Sequence, residues 1–313
     1  MKASDFIHTA SDGKAIFVRK WLPTGTPKAV LLVIHGMAEH SERYGRLAEA
    51  MASAGWAVYA PDHRGHGRTA AAGELGFFAE RRGFERVRDD LHELGRLASA
   101  ESGSAPLFLL GHSMGSILAE TYIAAFGQEL SGVVLSGVVA PSPPPLAAIA
   151  SILARIGGSI RGWKAPAKLL HGMSFSAYNK DFEPARSPVD WLSRDKAEVD
   201  KYVADPLCGF VCSFGFYRDL LSGLRSLYGK ASPFVGAPKT LPVFILSGAE
   251  DPAGGAHGFV PLLAGMFKAA GFESVETRLY PGARHEILNE TNKEEVLGDV
   301  KDWLESSLAR ARG

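Results

Sequence analysis

Short runs of consecutive apolar residues, several of them β-branched, recur along the chain at residues 29–34, 56–60, 107–110, 133–135 and 243–246. A strand covered on both faces carries such unbroken apolar runs, whereas a half-exposed strand alternates. Between them the apolar spacing changes to that of helices. Residues 44–54 close at Gly55, and residues 84–98 place Val87, Leu91, Leu94 and Leu97 on one face. Strand and helix in alternation predict an α/β fold, with a mostly parallel central sheet and helices on both faces. Ahead of this pattern, residues 5–22 form two strands around Ser11-Asp12-Gly13-Lys14, which predicts an antiparallel edge hairpin.

The alternation stops near residue 140 and resumes near 241. The interval opens with PSPPP and continues with an apolar helix at 146–156 bearing Leu146, Ile149, Ile152, Leu153 and Ile156. An aromatic-rich stretch follows, including Phe175, Tyr178, Phe182, Trp191, Tyr202, Phe210, Phe214, Phe216 and Tyr217. A block this long is not a plain loop. The chain therefore divides into a core of 1–139 and 241–313 and an inserted helical cap (lid) of 140–240, over the sheet edge where open α/β folds bind ligands. Within the cap, Asp205-Pro206 predicts the N-cap and first residue of a helix running toward Leu221. Thr291 and Glu294 predict a capping box for the last helix.

Composition narrows the function classes. The 313 residues are 46% hydrophobic and 22% charged, with 34 Lys+Arg against 34 Asp+Glu, an ordinary globular balance. A formal charge of zero and no long basic run argue against nucleic acid as a partner. Two cysteines, Cys208 and Cys212, are too few for a disulfide framework or a cysteine zinc site, which suggests a reduced, cytoplasmic protein. Their spacing reads as one helical turn, with both lining a pocket. No secretory leader is expected from the N-terminal residues, and no run reaches the ~20 apolar residues of a membrane helix.

Gly111-His112-Ser113-Met114-Gly115 lies between a strand pattern and a helix pattern. That is the setting of a nucleophile elbow, where only small residues two before and two after the serine let strand and helix approach. Ser113 is the candidate nucleophile. A serine needs a base with an orienting carboxylate, in the chain order Ser, Asp/Glu, His. His285, in the loop Pro281-Gly282-Ala283-Arg284-His285-Glu286 after the last strand, is the candidate base. Asp251, directly after the strand at 243–246, is the chosen acid, with its neighbour Glu250 as the alternative. An oxyanion hole needs backbone N–H groups; the amide after the nucleophile, Met114, and that of Met37 after the strand ending at Ile34 are assigned to it.

Other polar residues carry less. His63 and His66 lack a surrounding ligand cluster, so they read as part of a structured loop, and no metal is assigned. His285-Glu286 begins like a zinc-protease motif but lacks its second histidine. His8, His92 and His171 read as surface or packing residues. No Gly-rich dinucleotide or phosphate loop is present, so no cofactor is expected.

The segments HGMAEHSERY, DHRGHGRT, GHSMGS, GAEDP and GARHE occur in an order and spacing that resembles the α/β-hydrolase superfamily. The likeness is to its monoacylglycerol lipase and lysophospholipase branch, also grouped as serine aminopeptidase-like hydrolases. It spans nearly the whole chain, strongly in the core and more loosely across 140–240, where a long Pro-rich approach departs from the pattern. The resemblance implies a Ser113–Asp251–His285 triad and an oxyanion hole at Met37 and Met114. The residues read as a cofactor-free serine hydrolase that cleaves carboxylic esters through an acyl-enzyme. An acyl pocket lined by the apolar helix and aromatic stretch of the cap favours lipophilic esters, such as monoacylglycerols or lysophospholipids; the alternative is that those residues form the cap's own core. The apolar cap helix adds an expected transient membrane contact. Two alternatives remain: an amidase or aminopeptidase whose cap acids Glu183, Asp190, Asp195 and Asp200 hold an amine, and a ligand-binding relative without turnover.

Overall fold

A computed structural model describes residues 1–175, 178–229 and 233–312. Eight strands form one sheet: β1 (Lys2–Thr9), β2 (Ala15–Leu22), β3 (Ala29–Ile34), β4 (Trp56–Pro61), β5 (Leu107–His112), β6 (Gly132–Ser136), β7 (Val243–Gly248) and β8 (Val275–Tyr280). Their order is β1-β2-β4-β3-β5-β6-β7-β8. The β1–β2 hairpin pairs antiparallel to the edge at β4, and all other neighbours are parallel.

The unbroken apolar runs are explained by the two layers they face. Within β3, Val30, Leu32 and Ile34 join one core cluster while Ala29, Leu31 and Val33 join another on the opposite face. Helices α2 (Gly83–Glu101), α3 (Met114–Phe126) and α8 (Phe259–Ala269) supply the first cluster. Helices α1 (Gly45–Ser53) and α9 (Lys293–Arg312) supply the second. Successive side chains of a strand alternate faces, so a run with no polar position requires cover on both.

Strand order reverses between β3 and β5, which lie side by side although α1, β4 and α2 separate them in the chain. Loops leaving the carboxyl ends of these strands diverge there and open a crevice. The loop after β3 carries Met37, and the turn after β5 carries Ser113.

Between β6 and β7 the chain forms α4 (Pro144–Arg161), α5 (Lys168–Phe175), α6 (Lys196–Ala204) and α7 (Phe214–Tyr228). α4 packs on α7, which rests on α2 and α3. Gly157 permits the close approach, since an added Cβ would lie 2.2 Å from the Phe214 ring.

Three local expectations are corrected here. Asp205 does not open a helix: it follows α6, and its carboxylate takes the Leu207 amide at 2.8 Å and His40 Nε2 at 2.8 Å. The helix toward Leu221 begins later, with Ser213 as N-cap accepting from the Phe216 amide. The Thr291 hydroxyl turns to Glu290 instead of capping α9, which starts at Lys293. Cys208 and Cys212 lie outside helices as free, buried thiols, and the main cavity is lined without them. Burial pushes both thiols up, so they stay protonated and unreactive.

Candidate active site

Ser113 sits at φ 54° and ψ −119°, a conformation that costs an L-residue about 1–3 kcal/mol unless the surroundings enforce it. The enforcement is steric. A Cβ at Gly111 would stand 2.3 Å from the Gly115 carbonyl oxygen, and one at Gly115 would stand 2.0 Å from the Ile34 carbonyl oxygen. β5, α3 and β3 therefore close around the turn only when both positions are glycine. Gly115→Ala is expected to cost about 2–3 kcal/mol of unfolding free energy through overpacking, read by urea denaturation. It is also expected to lower kcat about ten-fold or more, because the shift displaces the turn that carries Ser113 and Met114.

The Ser113 hydroxyl donates to His285 Nε2 at 2.9 Å. On the other side of the ring, Nδ1 donates to Asp251, at 3.0 Å from each carboxylate oxygen. Asp251 is fully buried and also accepts from the Ser247 hydroxyl and the Ala253 amide, each at 2.8 Å. Glu250 is exposed, and of the two adjacent carboxylates Asp251 is the one that meets the ring. Burial would raise the Asp251 pKa, but the His285 ring and the hydrogen bonds outweigh it and hold the carboxyl below its usual range. Burial likewise pushes the His285 ring down, yet the Asp251 charge and hydrogen bond, with Glu286 and Glu39 behind them, leave it raised above 6.5.

Met37 and Met114 both border the cavity above Ser113. Met114 is the first residue of α3, so its amide lies at the positive end of the helix dipole. Among the described residues, no hydrogen-bond acceptor of the protein takes either amide. The loop carrying Met37 is held from several sides. Glu39 Oε1 accepts from the Gly36 amide at 2.6 Å and from the Tyr44 hydroxyl at 2.8 Å. Ala38, at φ 53°, has its carbonyl held by the Tyr202 hydroxyl at 3.0 Å and the Gly209 amide at 2.9 Å.

Arg43 joins this loop to the histidine loop, bonding Glu39 at 2.6 Å and Glu286 through both terminal nitrogens at 2.6 Å. Sequence reasoning passed over Glu39, Arg43, Glu286 and Ser247. The only sequence signal was the Glu39/Arg43 spacing of one helical turn; the partner Glu286 lies far off in the chain. His35 and His63 stack at 3.9 Å beneath the loop, and His66 bonds the Arg64 carbonyl at 3.0 Å. Burial drives all three rings toward the neutral form, and each braces backbone.

The crevice widens into a cavity of about 310 Å³, within the ~300–1,000 Å³ of small-molecule sites. Ile117, Leu146, Leu170, Met173, Leu220 and Leu224 form much of its apolar wall. Of the aromatic stretch, Phe175, Tyr178, Trp191, Tyr202 and Tyr217 line it, whereas Phe216 enters the core and Phe182 packs under Arg284. The cap acids are placed elsewhere. Asp195 caps α6 and bonds Lys293, Asp190 and Asp200 engage Arg186, and Glu183 is exposed.

Comparison with known proteins gives the family of the chain. The family model described as serine aminopeptidase, S33, matches residues 25–292. The chain is 31% identical over 95% of both chains to a monoacylglycerol lipase of Mycolicibacterium smegmatis. It is 32% identical to the monoglyceride lipase of Mus musculus, over 96% of this chain and 90% of that one. A thermostable carboxyl esterase from Bacillus coagulans, solved with glycerol, superposes with a TM-score of 0.88 at 26% identity, covering 98% of this chain and 99% of the other. With its elbow serine, its reversal of strand order and a match across most of its length, the chain belongs to the serine aminopeptidase S33 family of the α/β-hydrolase fold.

Proposed function

We propose that the protein hydrolyses lipophilic carboxylic esters, with Ser113, His285 and Asp251 as its triad and the Met37 and Met114 amides as its oxyanion hole. The observation that carries this reading is the unbroken hydrogen-bond relay from Asp251 through His285 to Ser113, opening into an apolar cavity. His285 takes the Ser113 proton as the oxygen attacks the ester carbonyl, and the two amides stabilise the oxyanion. The imidazolium then protonates the departing alcohol, leaving an acyl-Ser113. Water, deprotonated by the same ring, attacks the acyl carbon; the acid leaves and Ser113 recovers its proton.

Residues 140–240 act in this reading as the cap that selects the acyl chain. The related monoacylglycerol lipases support a monoacylglycerol as the substrate. Each methylene buried contributes about 0.8 kcal/mol, so kcat/KM for p-nitrophenyl esters is expected to rise about three- to four-fold per carbon from acetate until the cavity is filled. A steady fall beyond acetate would overturn the lipophilic assignment. An amide preference has little support, since none of the cap acids lines the cavity and the two carboxylates beside it, Glu39 and Glu286, are both bonded to Arg43.

The outer face of α4 supports the membrane contact. Ile149, Ile152, Ile156 and Ile160 stand exposed, Ile160 at 78%, rather than forming a core for the cap. No helix among the described residues is long and apolar enough to cross a membrane, so the contact in this reading is interfacial.

A further inference from the structure

Helix α4 has three different flanks. At about 100° per residue, Ile149, Ile152 and Ile156 fall on its outward arc. Leu146 and Ala150 fall on one side, where they line the substrate cavity. Ser151 and Arg155 fall on the other, where they line a second cavity of about 310 Å³. Leu221 of α7 forms part of the wall of both.

This second cavity differs in chemistry from the first. Arg81, Arg82, Arg155, Arg218 and Arg225 face it, against the carboxylates Glu80, Glu85 and Asp219. Asp219 is already engaged by Arg218, whose guanidinium lies over the Trp163 ring. Among the described residues, Arg81, Arg82, Arg155 and Arg225 make no side-chain ion pair or hydrogen bond. All four are exposed. They come from three separate places in the chain: the segment before α2, the middle of α4 and the end of α7.

We propose that this arginine cleft receives the phosphate groups of anionic phospholipids and thereby sets the cap on a bilayer surface. The inference rests on the membrane contact of α4 proposed above. A bilayer lying on the isoleucine face reaches the level of its headgroups along the helix flanks. On one flank the headgroups meet guanidinium groups, which bind phosphate oxygens in bidentate fashion. On the other flank the substrate cavity faces the same lipid layer. The near-neutral chain as a whole supplies no long-range attraction, so the charge selectivity comes from this local cluster.

The test is vesicle flotation of the full chain in low salt, with phosphatidylcholine vesicles and with vesicles containing about one third phosphatidylglycerol. The wild type is expected to partition about ten-fold or more better onto the anionic vesicles, with the gain fading as salt rises. Arg155→Glu/Arg225→Glu is expected to lose that gain while retaining wild-type binding to phosphatidylcholine and turnover of soluble p-nitrophenyl butyrate. Ile152→Ser/Ile156→Ser is expected to lose binding to both vesicles. Equal binding to both vesicles by the wild type, or an undiminished gain in the arginine variant, overturns the phosphate assignment alone. Absence of wild-type binding to either vesicle overturns this inference and the membrane contact together. Suppression of anionic-vesicle binding by equimolar soluble glycerol phosphate would assign the cleft to a free phosphate ester instead and overturn the docking role.

Discussion

Replacement of Ser113 by alanine is expected to lower kcat on p-nitrophenyl butyrate by about 10⁴- to 10⁶-fold while leaving the fold intact. It is also expected to abolish the single adduct that a fluorophosphonate probe leaves on the wild type, read by intact-protein mass. The fold survives because the substitution removes one oxygen and keeps the Cβ that the elbow already accommodates. The two cysteines do not replace the lost hydroxyl: their thiols are buried, protonated and outside the cavity. The residual rate measures what the oxyanion amides and the cavity contribute without covalent chemistry. A folded alanine variant that keeps wild-type turnover would remove Ser113 from the mechanism.

Asp251→Asn is expected to cost about 10⁴-fold in kcat, because an amide in this position no longer accepts from Nδ1–H in the required tautomer or stabilises the imidazolium. The pH profile separates this role from a purely structural one. In the proposed mechanism catalysis needs the neutral His285 ring, so activity is expected to rise with pH as the ring loses its proton. In the wild type that rise is centred above 6.5, since Asp251 raises the ring against the downward push of burial. In Asp251→Asn the largest raising charge is gone and burial remains, so the acid limb of the residual activity shifts to lower pH than in the wild type. A limb that stays in place would mean that some other carboxylate faces the ring.

The sequence carried the sheet because each buried strand is a local run. β3 through β7 are visible as unbroken apolar segments whose alternate residues feed the two core clusters. The elbow was legible for a similar reason: Gly111 and Gly115 are required by contacts that form wherever a strand turns sharply into a helix. Helix starts were less legible. Asp205-Pro206 has the composition of an N-cap, yet the Asp205 side chain is claimed by His40, and the helix waits for Ser213. A local propensity is worth about 1 kcal/mol, which a tertiary hydrogen bond of similar size readily overrides.

By itself, then, the chain's order of residues determined the alternating α/β layers, the strained serine and the histidine and carboxylate loops that must follow it. These depend on contacts within a few residues or on the periodicity of one element. Tertiary structure decided which of two adjacent carboxylates meets the ring, since Glu250 and Asp251 differ only in which way a folded loop turns them. It also decided that Arg43 ties Glu39 to Glu286 and that α4 keeps its isoleucines outward. Arginines from three distant segments likewise meet at one cleft only in the folded chain. Such juxtapositions arise from packing between elements far apart in the chain, and no local spacing encodes them.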